Sequence, residues 1–396
     1  MHWNKHFAER TAHMQRSTVR EFLKLAAQPG MISFAGGLPA PELFPLQEVG
    51  AASENVLTRH GTKALQYGET EGVRELRALL ADHQGVSVDN VLITTGAQQA
   101  LDLIGRVFLD SGDPVAVENP TYLALLSAWR AFGAEYLPVP GDDDGLHVDE
   151  IPLQSKLLYI IPNFQNPQGT TLSHARRIAL AERPRRDQLI VVEDDPYGEL
   201  RYEGEALPSL FSLADGPGGP VLQVGTFSKV LAPGFRIGWI IAGSDAIEKL
   251  VLAKQPMDLH TSTWNQYLAC ELLSSGFLPA HIKRLRTEYT IRRDAMLAAL
   301  NEFMPASVRW TSPRGGMFLL VTLPPEIDAA NLAAQAIREK VLVVPGGDFH
   351  VAGGKNTFRM NFSNAQPKAI RPGVEKLAAV IDQVPASTRI TAAVAR

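Results

Sequence analysis

The sequence is poor in cysteine, in long apolar runs and in excess charge. The one cysteine among the 396 residues, Cys270, excludes an internal disulfide framework. No segment approaches eighteen consecutive apolar residues, which argues against a membrane-spanning helix. The formal net charge of −4 gives no electrostatic reason to expect nucleic acid or an anionic membrane surface as a partner. Because the first residues also lack the apolar core of a signal peptide, we predict a soluble, cytoplasmic protein.

Motifs for metals and nicotinamide cofactors are also missing. His2 and His6 have a spacing that could bind a metal, but they have no third ligand nearby. The acidic run at 141–150 lacks the alternation of a calcium loop. No G-x-G-x-x-G follows a predicted strand, which argues against a dehydrogenase. We therefore expect no metal site.

Helical and strand-like segments alternate along the chain from about residue 74. Helical periodicity occurs at 73–85 and 96–112. Short apolar runs, typical of strands that are buried on both faces of a mostly parallel sheet, occur at 90–95, 114–118, 156–162, 189–193, 221–226 and 236–243. This pattern predicts an α/β fold.

The pattern changes at a long helical segment, 279–304, after which three further apolar runs are separated by helices. We predict a large domain over 46–285 and a smaller α/β domain over 286–396. Residues 1–45 are too rich in glycine and proline for a long regular element, and we predict that they form a lid and substrate-binding segment that packs with the small domain.

Polar residues follow five of the predicted strands, where open α/β sheets bind their ligands. They comprise a helix start, aromatic rings, an amide, a carboxylate and an amine: Gly96, Ala97 and Gln98; Tyr122; Asn166; Asp194 and Tyr197; Thr226, Ser228 and Lys229. A single ligand that contacts all five strand ends would need groups complementary to each of these side chains.

Pyridoxal 5'-phosphate has the groups that would use these side chains. The Lys229 amine could form a Schiff base with its aldehyde, and Asp194 could hold its pyridine nitrogen in the protonated form. Asn166 and Tyr197 could contact the 3'-oxygen, and Tyr122 could stack on the ring. Its phosphate suits the N–H groups of the helix that starts near Ala97, together with Thr226, Ser228 and Arg236.

The motifs resemble those of the class I/II pyridoxal-phosphate aminotransferases of fold type I. Thr226-Phe227-Ser228-Lys229 followed by Arg236 resembles the family's lysine motif, 166–169 resembles its Asn-Pro-x-Gly, and 194–197 its Asp-x-x-Tyr. The resemblance implies a large domain with a mostly parallel seven-stranded sheet between helices. It also implies that Arg359 binds the substrate α-carboxylate. Tyr67 would reach the partner's site in a homodimer.

Within this family the sequence is most similar to the 2-aminoadipate and kynurenine aminotransferases, through the segments at 17–45 and 254–266. In those relatives a mobile N-terminal helix brings an arginine over the substrate side chain, a place that Arg20 occupies here, and Gly37 would lie near the substrate. The resemblance implies ping-pong transfer from an L-amino acid to a 2-oxo acid, with 2-oxoglutarate as the expected acceptor. Lys229 would move the proton, assisted by Asp194 and Tyr197.

Two other functions stay open at this point. A different reaction of the same cofactor, such as decarboxylation, β-elimination or racemisation, would use the same residues, because the outcome depends on which α-carbon bond is aligned with the ring. A non-enzymatic effector-binding module is the second possibility. We expect it less, because the lid segment begins within the first twenty residues and leaves no room for a DNA-binding domain before it.

Overall fold

The computed structural model describes residues 25–383 and, before them, residues 3, 6–8 and 11. Its helices are α1 (Leu46–Ala64), α2 (Arg74–Gln84), α3 (Ala97–Phe108), α4 (Leu123–Arg130), α5 (His174–Asp187), α6 (Leu210–Leu213), α7 (Ser244–Asp258), α8 (Thr263–Ser274), α9 (Phe277–Phe303), α10 (Ala329–Arg338) and α11 (Pro367–Asp382). None of the helices within these residues is both long and apolar enough to cross a bilayer.

The strands are short and fall into four sheets. They are β1 (Ile32–Ser33), β2 (Val91–Thr94), β3 (Pro114–Glu118), β4 (Glu135–Val139), β5 (Gly141–Asp142), β6 (Gly145–Leu146), β7 (Leu157–Ile160), β8 (Ile190–Asp194), β9 (Val221–Thr226), β10 (Gly238–Ile241), β11 (Arg309–Trp310), β12 (Phe318–Thr322), β13 (Val341–Leu342), β14 (Val344–Pro345) and β15 (Thr357–Asn361).

The largest sheet has seven strands in the order β2-β10-β9-β8-β7-β3-β4. Every strand except β10 runs in the same direction, and β10 is antiparallel to both of its neighbours. Strands β2, β7 and β9 are buried along their whole length, as their continuous apolar runs require. The mostly parallel sheet predicted from the sequence is confirmed, and the carboxyl ends of β2, β3, β7, β8 and β9 meet at one edge.

The second sheet is antiparallel, with four strands in the order β11-β12-β15-β14. Its apolar residues form their own core with helices α10 and α11 and the second half of α9. Helix α9 runs without a break through residue 285, and its buried residues belong to the first core up to Tyr289 and to the second core from Met296. The domain boundaries at 45 and 285 stay predictions.

The chain before α1 contributes to the second sheet's side of the molecule. Strand β1 pairs in parallel with β13, and the Phe34 backbone exchanges hydrogen bonds with Leu342 and Asn361. Beyond this pairing the segment crosses to the edge of the large sheet, where Gly37 lies.

Candidate active site

Lys229 lies in the turn directly after β9. Its Nζ donates a hydrogen bond to the Gly37 backbone oxygen at 3.0 Å, so the segment before α1 contacts the amine. Burial lowers the pKa of Lys229 to about 8, with help from the positive charges of Arg359 and Arg236, while Asp194 opposes the shift. The amine is therefore available in its neutral, nucleophilic form close to neutral pH.

Asp194 ends β8 and is almost fully buried. Its Oδ2 accepts a hydrogen bond from the Tyr159 hydroxyl at 2.7 Å, whereas Oδ1 has no partner among the described residues. Burial raises the pKa of this carboxyl to about 7; the Tyr159 hydrogen bond and the charge of Lys229 lower it, and Asp195 adds to the rise. A buried acceptor without a donor is costly, so the site is suited to a ligand that brings a proton to Oδ1.

The turn between β2 and α3 forms a second part of the site. Gly96 precedes the helix with φ +82°, a left-handed value that favours glycine, and a Cβ there would lie 2.5 Å from Arg236 Nη2. Arg236 donates through Nη2 to the Thr95 oxygen at 3.0 Å. Because no side chain caps α3, the first N–H groups of this helix, beginning at Ala97, are free to bind an anion.

Two hydroxyl groups lie at the end of β9, next to the lysine. Thr226 Oγ1 and Ser228 Oγ are 2.9 Å apart, and the Ser228 N–H donates to Thr226 Oγ1 at 3.1 Å. Both side chains are mostly buried. The antiparallel pairing of β10 with β9 places Gly238 beside Thr226 and brings Arg236 to the same edge of the sheet.

A polar network that the sequence did not reveal supports the β2–α3 turn. Asp258, at the end of α7, accepts hydrogen bonds from Lys254 Nζ at 2.7 Å and from Gln99 Nε2 at 2.6 Å. The Thr95 hydroxyl is 3.3 Å from the same carboxylate, and the Thr95 N–H donates to Gln99 Oε1 at 2.7 Å. These hydrogen bonds restrain Thr95, whose carbonyl oxygen accepts the hydrogen bond from Arg236.

Arg359 lies on β15, in the second sheet, and reaches the edge of the first. It donates through Nη1 to Asn166 Oδ1 at 2.9 Å and through Nη2 to the Ala35 oxygen at 2.8 Å. Its guanidinium carbon lies 4.3 Å from the ring centre of Phe318 and 4.9 Å from that of Phe349. Burial lowers its pKa to about 10, and Nε has no partner among the described residues.

Two tyrosines lie between these groups. Burial raises the pKa of the Tyr197 phenol far above its ordinary value, and a hydrogen bond with the Asn166 side chain partly offsets this rise. Burial raises the pKa of Tyr122 to about 12, and its hydroxyl is 3.5 Å from Gln98 Oε1 at the start of α3. Both rings are therefore neutral phenols that can donate a hydrogen bond.

One predicted site residue in the described part of the chain is not part of this cluster. Tyr67 is 78% exposed and packs edge-on against His260, beside a surface cavity of about 390 Å³. Arg20 lies outside the described residues. The other predicted residues gather around the edge of the large sheet, at the junction with the second sheet.

Some contacts of the site join residues that are far apart in the sequence. Tyr159 lies inside a buried apolar strand, Phe318 begins the apolar strand β12, and Phe349 ends the short 3₁₀ turn Gly346–Phe349. Nothing in the local sequence distinguishes these rings from ordinary core residues. The run Lys254–Asp258 offered a signal, since a lysine and an aspartate four residues apart on a helix can pair.

The geometry fits the chemical groups of pyridoxal phosphate. Asp194 Oδ1 is a buried acceptor in need of a donor, and the protonated pyridine nitrogen is such a donor. The uncapped start of α3, the two hydroxyls and Arg236 suit a phosphate. The Lys229 amine, with its pKa of about 8, suits an aldehyde.

Comparisons with known proteins agree with this geometry. The family model described as aminotransferase class I and II matches residues 32–377. The chain belongs to this family and is a pyridoxal-phosphate-dependent aminotransferase of fold type I. These matches do not favour the other functions left open by the sequence.

Individual relatives cover almost the whole chain. An aromatic-amino-acid aminotransferase of Thermococcus litoralis is 44% identical, with 96% of this chain and 95% of the relative covered. A 2-aminoadipate transaminase of Thermus thermophilus is 45% identical, with 95% and 96% covered. The crystal structure of an alpha-aminoadipate aminotransferase from Thermus thermophilus, complexed with N-(5'-phosphopyridoxyl)-L-leucine, has a TM-score of 0.91 at 43% identity and covers 96% of this chain and 98% of its own.

Proposed function

We propose that the amino donor is 2-aminoadipate, glutamate, leucine or an aromatic amino acid, and that the acceptor is a 2-oxo acid, with 2-oxoglutarate as the first choice. The observation that carries this proposal is the position of Arg359, a buried guanidinium at the junction of the two sheets, close to the Lys229 amine. The names of the relatives, which include aromatic-amino-acid and 2-aminoadipate aminotransferases, support the range of donors.

The roles of the residues around the cofactor follow from their chemistry. Bound pyridoxal phosphate supplies an electron-withdrawing ring that accepts the electron pair left on the substrate α-carbon. Asp194 Oδ1 would hold the protonated ring nitrogen, and Asn166 and Tyr197 would donate to the 3'-oxygen. Tyr122 would lie against the ring. Contacts to the phosphate would come from Gly96, Ala97, Gln98, Thr226, Ser228 and Arg236.

Lys229 would hold the cofactor and then act as the acid and base of the reaction. With a pKa of about 8, its Nζ would take a proton from the substrate α-carbon and deliver it to the cofactor's 4'-carbon without a large change in free energy. The Gly37 oxygen, 3.0 Å from Nζ, is an acceptor that can orient the amine while it carries the proton.

Arg359 would bind the α-carboxylate of every substrate. Nε has no partner among the described residues, and Nη1 and Nη2 hold only an amide and a backbone oxygen, so a carboxylate can bind through two parallel N–H groups. Such a clamp fixes the orientation of the bonds at the α-carbon. Gly37 would lie beside the substrate, and Arg20 would contact the far end of its side chain.

We further propose that the active unit is a homodimer in which Tyr67 contacts the cofactor phosphate of the partner subunit. The 78% exposure of a tyrosine ring and the cavity beside it support a role outside its own subunit. The cytoplasmic location predicted from the sequence stays a prediction.

A donor screen tests the proposed reaction. Purified enzyme is incubated with single L-amino acids and 2-oxoglutarate, and the glutamate formed is measured. For the glutamate donor itself, the reverse transfer to a different 2-oxo acid is followed. We expect turnover with 2-aminoadipate, leucine or aromatic donors. Release of carbon dioxide or ammonia without glutamate formation would instead assign decarboxylation or β-elimination.

The role of Arg359 is tested by Arg359→Gln. Loss of two charge-assisted hydrogen bonds to a carboxylate should lower kcat/KM by about 100-fold or more for every donor, because each such bond contributes roughly 1.5–3 kcal/mol. Arg371→Gln is the matched control, since Arg371 is exposed and pairs with Glu302 on the surface. An equal, small effect of both variants would contradict the assignment.

A further inference from the structure

We propose that Tyr159 is a positioning residue, whose hydroxyl fixes the Asp194 carboxylate so that Oδ1 is left for the cofactor's ring nitrogen. The inference rests on the proposed role of Asp194. It adds a residue from inside the central sheet to those that govern the reaction.

The sheet register brings the two side chains together. Strands β7 and β8 are parallel neighbours, and Tyr159 is paired with Val192, two residues before Asp194. Residues two apart on a strand share a face, so Tyr159 and Asp194 project to the same side of the sheet. The tyrosine hydroxyl reaches Oδ2 at 2.7 Å, a distance typical of an O–H donor and a carboxylate.

The ring of Tyr159 is held in place by packing against a neighbouring aromatic side chain. Tyr159 is fully buried and packs edge-on against Trp129, with 5.9 Å between ring centres. Trp129 Nε1 in turn donates to the Leu101 oxygen of α3 at 2.7 Å. The first turn of helix α3 is expected to bind the phosphate. Trp129 therefore connects the residue that contacts Asp194 with the helix that is expected to bind the phosphate.

The hydrogen bond from Tyr159 makes the two carboxylate oxygens of Asp194 different. Oδ2 is occupied and cannot turn toward a ligand without losing its donor, whereas Oδ1 is buried with no partner among the described residues. A donor to one oxygen also stabilises the anion and makes the carboxylate a weaker base. With the cofactor bound, this hydrogen bond would therefore favour the proton on the ring nitrogen over the carboxylate.

Tyr159→Phe removes the hydroxyl and keeps the ring that packs on Trp129. The matched control is Tyr136→Phe, because the Tyr136 hydroxyl donates at 2.8 Å to the Leu126 oxygen, and Tyr136 lies on β4, two strands away from β7 in the same sheet. Both holoenzymes are loaded with pyridoxal phosphate that carries ¹⁵N in its ring. Three quantities are measured: the ¹⁵N chemical shift, the dissociation constant of pyridoxal phosphate, and kcat and KM for the best donor.

In Tyr159→Phe we expect the ¹⁵N shift to move toward the value of an unprotonated pyridine. Since hydrogen bonds to charged groups are stronger than neutral ones, we expect pyridoxal phosphate to bind about tenfold more weakly and kcat to fall about tenfold, with KM nearly unchanged. Tyr136→Phe should match the natural enzyme in all three. If the two variants give the same ¹⁵N shift, Tyr159 has no positioning role.

A second variant covers the case in which Tyr159→Phe does not fold. Tyr159→3-fluorotyrosine keeps the hydroxyl and makes it a stronger donor, so the ¹⁵N shift should move further toward the protonated value. An unchanged shift, or a shift in the opposite direction, would overturn the proposal. Failure of the natural enzyme to bind pyridoxal phosphate would instead refute the function on which the inference rests.

Discussion

Replacing Asp258 by asparagine should destabilise the enzyme strongly, although this residue is not expected to contact either substrate or cofactor. The Lys254 side chain is fully buried, and its Nζ lies 2.7 Å from Asp258 Oδ1. The Asp258 side chain is 24% exposed and also accepts from Gln99. Asparagine would keep the size of the side chain but would leave the lysine charge buried without its counter-ion.

The size of the effect follows from the burial of the pair. Removing one partner from a buried ion pair costs about 3–5 kcal/mol, and the partial exposure of Asp258 places this case near the lower end, at about 3 kcal/mol. Burial already lowers the pKa of Lys254, and Asp258 opposes that shift. Without Asp258 the pKa of the lysine falls further.

The lowered pKa of Lys254 makes the stability of the Asp258→Asn variant depend on pH. Between the lowered pKa in the folded variant and the ordinary value of 10.5, the unfolded chain binds more protons than the folded one. The stability of the variant therefore rises with pH in this window. The free energy of unfolding of the variant should fall furthest below that of the natural enzyme near neutral pH, and this difference should shrink as the pH approaches 10.

Urea unfolding at fixed concentrations of protein and pyridoxal phosphate measures the difference, with Asp113→Asn as the matched control. Asp113 pairs with Lys156 at 2.6 Å, but the side chains are 22% and 38% exposed. A pair that water can reach is worth about 1 kcal/mol or less. If Asp258→Asn lowers the free energy of unfolding no more than Asp113→Asn does, the burial of Lys254 does not make its ion pair with Asp258 important for stability.

Two further predictions concern the cofactor site. Gly96→Ala should weaken pyridoxal phosphate binding measurably and lower the melting temperature more than Gly85→Ala does. Both glycines have positive φ, which costs an alanine roughly 1–2 kcal/mol, but only a Cβ at position 96 would contact Arg236. Equal decreases in melting temperature for the two variants would mean that this contact is unimportant. In cofactor-free enzyme, the recombination rate with pyridoxal phosphate should rise with pH and level off above about pH 8, because Lys229 is neutral above its pKa of about 8. A rate that keeps rising toward pH 10.5 would show an ordinary lysine.

The sequence predicts the elements of the large sheet well, because strands that are buried on both faces need continuous apolar runs. Runs at 114–118 and 221–226 coincide with β3 and β9. The direction of β10 was not predictable, since an apolar run carries no sign of its orientation. Strand β4 was missed because it lies at the sheet edge and contains Pro138, a residue that central strands exclude.

For the site, the sequence identifies the residues whose neighbours along the chain form a motif. Lys229, Asp194 and Asn166 are of this kind, and the structure brings them to one edge of the sheet. Tyr159 contacts Asp194, which is 35 residues away in the sequence. Asp258 contacts Thr95, which is 163 residues away. Such contacts exist only after folding, and one sequence does not reveal them.

The hydrogen bond between Arg359 and Asn166 connects the two sheets at a point where two ligands are expected to meet. A carboxylate bound by Arg359 would compete with the Asn166 amide oxygen for the guanidinium, and its binding would change the restraint on a side chain expected to contact the 3'-oxygen. Filling the proposed carboxylate position would thereby change the contacts at the proposed ring position. Compounds that lack a carboxylate would leave this restraint as it is in the empty enzyme.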